Sequence, residues 1–97
     1  MISWIDLDTT PMRPGETRDL TIWSDAKLSV VIKCFVHNPP PPALRSCEMC
    51  GEFAAQNAVP IKVLASPNLF RNTRGQLRLR VGDDSGDSRD FAIDVNP

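Results

Sequence analysis

The 97-residue chain has no surplus of basic charge, no long apolar run, no internal repeat, no heptad pattern and only one histidine. Each absence removes a class of function. Eleven Lys and Arg stand against twelve Asp and Glu, a net charge of −1, so this is not a globally basic protein of the kind that coats nucleic acid nonspecifically. After Met1 comes Ile2-Ser3-Trp4-Ile5-Asp6, without the basic n-region or apolar stretch of a signal peptide and without the length of a membrane span. The expectation is a protein not secreted by a signal peptide, located in the cytoplasm or in a virion. With His37 as the sole imidazole and no serine or aspartate placed to form a triad with it, catalysis is not expected.

Cysteine is scarce too, and its number is odd. Three thiols cannot all pair as disulfides, whereas three thiolates and one imidazole complete a zinc shell. All four candidate ligands lie between Lys33 and Phe53, in KCFVHNPPPPALRSCEMCGEF. Cys34 and His37 are separated by two residues, nine residues follow, and Cys47 and Cys50 are again separated by two. Two short ligand pairs on a spacer can close a tetrahedron, and a reduced cytosol suits thiolates. The second pair, Cys47-Glu48-Met49-Cys50-Gly51, resembles the knuckle of zinc-ribbon proteins, where a glycine after the second cysteine permits a positive φ. The first pair departs from that pattern, with Asn38 at the glycine position. The expected ion is a structural Zn²⁺ held by Cys34, His37, Cys47 and Cys50, since four protein ligands leave no open position for substrate. A redox CxxC reading is weaker, because no βαβ setting places a helix N-terminus beside the thiols.

Between the two pairs run Pro39 to Pro42, four residues without N–H donors and with φ held near −65°. They predict a stiff polyproline II spacer. The alternative, a PxxP ligand for an aromatic groove, is disfavoured if both ends are tied to zinc.

Elsewhere the apolar residues alternate. Ser3 to Leu7 reads as an edge strand, and Arg18 to Ser24 as a half-buried strand with Leu20 and Ile22 inward. Leu28, Val30, Ile32, Cys34 and Val36 form one face of the strongest strand, whose other face (Ser29, Val31, Lys33, Phe35) is apolar enough to predict cover on both sides. Glu52 to Ala58 reads as one helical turn, Ile61 to Ala65 as a short strand, and Leu69 to Gly75 as a polar loop. Leu77, Leu79 and Val81 oppose Arg78 and Arg80, and a hairpin through Asp83–Ser88 returns as Phe91, Ile93 and Val95. The acidic hairpin lacks the frame of a calcium-binding EF-hand and reads as a solvated turn.

Together these segments predict one all-β domain over residues 1–97, a β-sandwich of about six to seven strands with a zinc-stapled, Pro-rich insertion at 34–53. From PGETRDLTI to GQLRLRV and RDFAIDV the pattern resembles immunoglobulin-like or fibronectin-like sandwiches, a likeness of architecture alone.

No acid lies between Glu52 and Asp83, a span that carries Lys62, Arg71, Arg74, Arg78 and Arg80, and eight of the eleven cations are Arg. Arg forms bidentate contacts with carboxylate and phosphate and is enriched at interfaces. Arg71, Arg74, Arg78 and Arg80 are therefore the expected partner-binding residues. The expected function is a non-enzymatic structural or interaction protein, an accessory, decoration or adaptor subunit of a larger assembly such as a virion, with no small-molecule substrate. A zinc-containing nucleic-acid-binding protein, with Phe35, Phe53 or Phe70 stacking on bases, is the second reading. A small regulator that offers its acidic hairpin to a basic protein partner is the third.

Overall fold

Wherever apolar residues alternate with polar ones, the chain is extended. The computed structural model describes residues 1–37, 43–53 and 56–97, and side chains for all of these except 43–50, 56 and 57. Seven strands follow in order: β1 (Ile2–Asp6), β2 (Thr17–Ser24), β3 (Leu28–Val36), β4 (Ala43–Phe53), β5 (Gln56–Leu64), β6 (Gly75–Asp83) and β7 (Ser88–Val95). They form two antiparallel sheets, one ordered β1-β2-β5 and the other β4-β3-β6-β7. Among the described residues there is no helix.

The core is the shared inner face of these sheets. Leu28, Val30, Ile32, Cys34 and Val36 of β3 are all buried, as the alternation requires, and Val30, Ile32 and Cys34 stand opposite Val81, Leu79 and Leu77 of β6. The three-stranded sheet brings Leu20, Ile22, Val59, Ile61 and Val63 against them. Each such side chain contributes about 1.5–3 kcal/mol on full burial, so loss of one is a large fraction of a net stability of about 5–15 kcal/mol. The two sheets are also stitched by backbone. Between β1 and β2 the chain crosses over, Met12 pairs in parallel with Val95, its N–H donates to Asp94 O at 2.8 Å, and Asn96 N–H donates to Met12 O at 2.9 Å. Arg18 holds this crossing in place by donating to the carbonyls of Asp8, Thr10 and Pro11.

Three expectations are corrected. No helical turn spans Glu52 to Ala58: β4 continues to Phe53 and β5 begins at Gln56, with Ala54 and Ala55 outside the described residues. The short strand expected over Ile61 to Ala65 is longer and starts earlier, at Gln56, so Pro60 lies within β5, opposite Thr21 and exposed, as an edge strand tolerates. The outer face of β3 is not covered, since a two-sheet molecule has no third layer: Ser29 and Lys33 are exposed, Val31 and Phe35 half-buried.

The loop after β5 differs most. Phe70 is not a surface ring but is completely buried, which removes it from any base-stacking role. Its place depends on Gly75, where a Cβ would collide with the Phe35 carbonyl oxygen and the Phe70 ring. The Pro39–Pro42 tract lies outside the described residues.

Candidate functional site

Alternation along β6 sends Leu77, Leu79 and Val81 into the core and therefore sends Arg78 and Arg80 to the outer face of the four-stranded sheet, as expected. Antiparallel pairing sets Arg78 opposite Lys33 and Arg80 opposite Val31 on one side, with Ala92 and Asp90 opposite them on the other. The result is a shallow depression of about 630 Å³ lined by Val31, Lys33, Phe35, Arg78, Arg80 and Ala92, among others.

Within it the two arginines are held differently. The Arg78 guanidinium lies over the Phe35 ring, 4.3 Å from its centroid, with Nε donating to Gln76 Oε1 at 2.9 Å. Among the described residues it forms no ion pair with a carboxylate. Such a cation–π contact is worth about 0.5–1 kcal/mol at an exposed site and fixes the planar fork for a partner. Arg80 is instead engaged with Asp90, Nε to Oδ1 at 2.8 Å. The Asp90 carboxylate is lowered and the Arg80 guanidinium raised by that contact. Both ends are exposed, so the pair contributes little to stability. Lys33 forms no ion pair among the described residues. Arg74 is exposed just before β6, where its carbonyl accepts the His37 N–H at 2.9 Å, and Arg71 is exposed in the preceding turn. The expected strip therefore divides: Arg78 and Arg80 stand on the outer face of β6, while Arg74 precedes the strand and Arg71 lies in the turn before it. Lys33 and Phe35 join the face from β3, a juxtaposition that only strand pairing reveals.

The expected zinc ligands are placed as follows. Cys34 is completely buried on the inner face of β3, and His37 is exposed one residue past the strand. Cys47 and Cys50 lie in β4, opposite Lys33 and Val31, residues whose side chains belong to the outer face. The register slips at two points along this pair, between Ile32 and Lys33 and between Cys34 and Phe35. The side chains of Cys47 and Cys50 are outside the described ones. Among the described residues no three His, Cys, Asp or Glu side chains gather as a metal group.

One further cluster is not singled out by the sequence, and a second is built differently from its sequence reading. Trp4 and Trp23 stack on the outer face of the three-stranded sheet with ring centroids 4.3 Å apart and planes inclined by 24°, and Trp4 is 58% exposed. At the end of the sandwich where β3 starts, the acidic hairpin is more than a solvated turn. Asp83 has a fully buried side chain whose Oδ1 accepts from Ser85 N–H, Ser85 Oγ and Asp87 N–H. Its Oδ2 is 2.9 Å from the Met1 ammonium but is not aligned for a hydrogen bond, so that contact is ionic only. The Ser85 hydroxyl first, then the ammonium, lower the Asp83 carboxyl to about 2, against the opposing effect of burial. The signal in sequence was the Asp-x-Ser spacing of an Asx turn. In comparisons with known proteins, the chain matches no family model, no curated protein and no solved structure.

Proposed function

We propose that this chain is a non-enzymatic interaction module that docks through the outer face of its four-stranded sheet onto an acidic protein surface of a larger assembly, a virion being one such assembly. The observation that carries this reading is the Arg78 guanidinium over the Phe35 ring, beside Lys33, which forms no ion pair among the described residues. A flat face with preset cations suits a carboxylate-bearing partner; a shallow depression with no convergent nucleophile and base does not suit turnover. Asp90 and Asp94 on the same face speak against a polyphosphate track, which makes nucleic acid the less favoured partner.

As to fold type, the reading is an immunoglobulin-like or fibronectin-like sandwich. Its support is the strand order. In the immunoglobulin constant arrangement the fourth strand joins the sheet of the first, second and fifth; here it lies beside the third, as the added strands of variable-type domains do.

Binding of one Zn²⁺ by Cys34, His37, Cys47 and Cys50 is a separate proposal, supported by ligand types and spacing. Metal analysis of reduced, freshly purified protein tests it: about one zinc per chain sustains the site, and a stoichiometry near zero with the fold intact removes it.

The docking reading is tested by replacing Lys33, Arg74, Arg78 and Arg80 with Ser and following co-fractionation with large particles in native extract. The expected result is loss of co-fractionation with a melting temperature almost unchanged, since exposed substitutions shift stability by about 0.5 kcal/mol or less each. Retained co-fractionation overturns it, and salt-sensitive binding of the unmodified chain to a single-stranded oligonucleotide would favour nucleic acid instead.

A further inference from the structure

A sheet edge presents a row of unpaired backbone N–H and C=O groups, which bulges and prolines interrupt. Three of the four edges here are interrupted in that way. The register slips beside Ser3 in β1 and twice along β4, while β5 carries Pro60 and a slip of its own against β2. β7 has no proline, and it pairs with β6 from Ser88 opposite Gly82 to Val95 opposite Gly75 without a slip. Its free side can be assigned residue by residue. Asp94 O accepts from Met12 N–H and Asn96 N–H donates to Met12 O, so the even-numbered residues of β7 turn their backbone groups away from β6. Asp90 and Ala92 therefore offer their N–H and C=O groups outward, and no hydrogen bond among the described residues engages them.

Met12 limits what can lie there. A second copy of this chain, pairing its own β7 antiparallel about Phe91, would set its Ser88 opposite Asp94, whose carbonyl Met12 already holds. Pairing about Asp90 instead would set two aspartates directly opposite one another, which is unfavourable. The occupant is thus a short extended segment of another protein. Its charge follows from the side chains beside the free groups. On the outer face exposed Ala92 stands between exposed Asp90 and Asp94, so a residue placed opposite Ala92 has both carboxylates as diagonal neighbours, within reach of a long side chain. Asp90 is paired with Arg80, but Asp94 meets the neutral amide of Gln76 and forms no ion pair among the described residues. Arg78, across Ala92 on β6, is drawn the other way, over Phe35. A small residue flanked by two acids suits a Lys or Arg. The next residue of the segment turns to the opposite face, beside half-buried Phe91, where an apolar side chain fits.

We infer that the β7 edge at Asp90 and Ala92 binds an extended basic segment of a protein partner, which adds a strand to the four-stranded sheet with a Lys or Arg over Ala92 and an apolar residue beside Phe91. The outward backbone groups supply attachment, and the two aspartates select the charge. The site is the edge of the sheet and not its cationic face, so its failure leaves the docking reading untouched.

The probe is the end-blocked peptide Thr-Lys-Val-Lys-Thr, and the readout is amide hydrogen exchange of the unmodified chain. In the free protein the Asp90 and Ala92 amides are expected to exchange fast and those of Phe91 and Ile93 slowly, since only the latter face β6. Saturating peptide should slow Asp90 and Ala92 at least about tenfold. The same peptide with its backbone nitrogens methylated keeps its charge and should protect neither amide, and a peptide with glutamate in place of lysine should protect neither at low salt. Ala92→Pro removes one outward N–H at a position that edge strands tolerate, and should end binding with the circular dichroism of the parent retained. The methylated peptide alters the ligand alone, so that comparison stands even where the variant loses its fold. The inference is overturned by Asp90 and Ala92 amides as slow as their neighbours in the free protein, by no slowing at millimolar peptide, or by equal slowing from the methylated or the glutamate peptide. Undiminished binding to a folded Ala92→Pro variant overturns it as well.

Discussion

At the scale of single residues, the decisive placements are those where a side chain does the opposite of its average habit. Aspartate is seldom buried without a partner, yet Asp83 is withdrawn from solvent and survives as an anion because three donors and an ammonium surround it. Its carboxyl is lowered from 3.8 to about 2. A depressed carboxylate contributes stability that is fully present above its unfolded value and is lost as pH falls through its folded value. The melting temperature should therefore fall as pH drops from about 4 to about 2. Asp83→Asn should lower the melting temperature at pH 7 and flatten that part of the acid profile. An unchanged acid slope in the variant would assign the titration to other carboxylates.

At the scale of elements, the alternating strands were legible because alternation is a local property. Leu28 to Val36 is the strand with the same limits in sequence and in structure, and Leu77, Leu79 and Val81 face inward as the pattern requires. What was not legible is set by partners far away in the chain. The slip at Ser3 that turns Trp4 outward leaves no mark in ISWID, and the pairing that puts Lys33 and Phe35 beside Arg78 joins residues more than forty positions apart. The helical turn expected after Cys50 failed because Ala-rich propensity is a weak prior beside an open strand edge to pair with. Phe70, set among polar neighbours, gives no sign of its burial because the feature that receives it is an absence, the missing Cβ of Gly75. That close approach carries a prediction. Gly75→Ala must push apart the end of β3, the start of β6 and the Phe70 ring, and overpacking of this kind costs about 1–3 kcal/mol. Denaturant unfolding should show a lower midpoint with an unchanged slope; a variant as stable as the parent would mean that the loop carrying Phe70 yields without loss.

At the scale of the whole molecule, the question is whether two sheets make one cooperative unit. Each sheet supplies half of a single core, so neither has a dry face without the other, and the crossing at Met12 ties the strand before β2 to β7 of the opposite sheet. Two of the five strand pairings, β2 with β5 and β3 with β6, join strands distant in sequence, and closing them predicts folding in milliseconds to seconds rather than microseconds. The arrangement also offers a built-in comparison. Both tryptophans lie in β1 and β2, so their emission follows the three-stranded sheet, while far-ultraviolet circular dichroism follows strands of both. If the shared core governs, the two signals should trace one denaturation curve with the same midpoint and slope, as coincident probes do for a two-state domain. Met12→Ala should shift both signals together, because its buried side chain belongs to the common core. An emission transition that comes early, with the dichroism largely retained, would mean that β1, β2 and β5 detach from a four-stranded sheet able to persist alone, and the strap at Met12 would then be the first contact to fail.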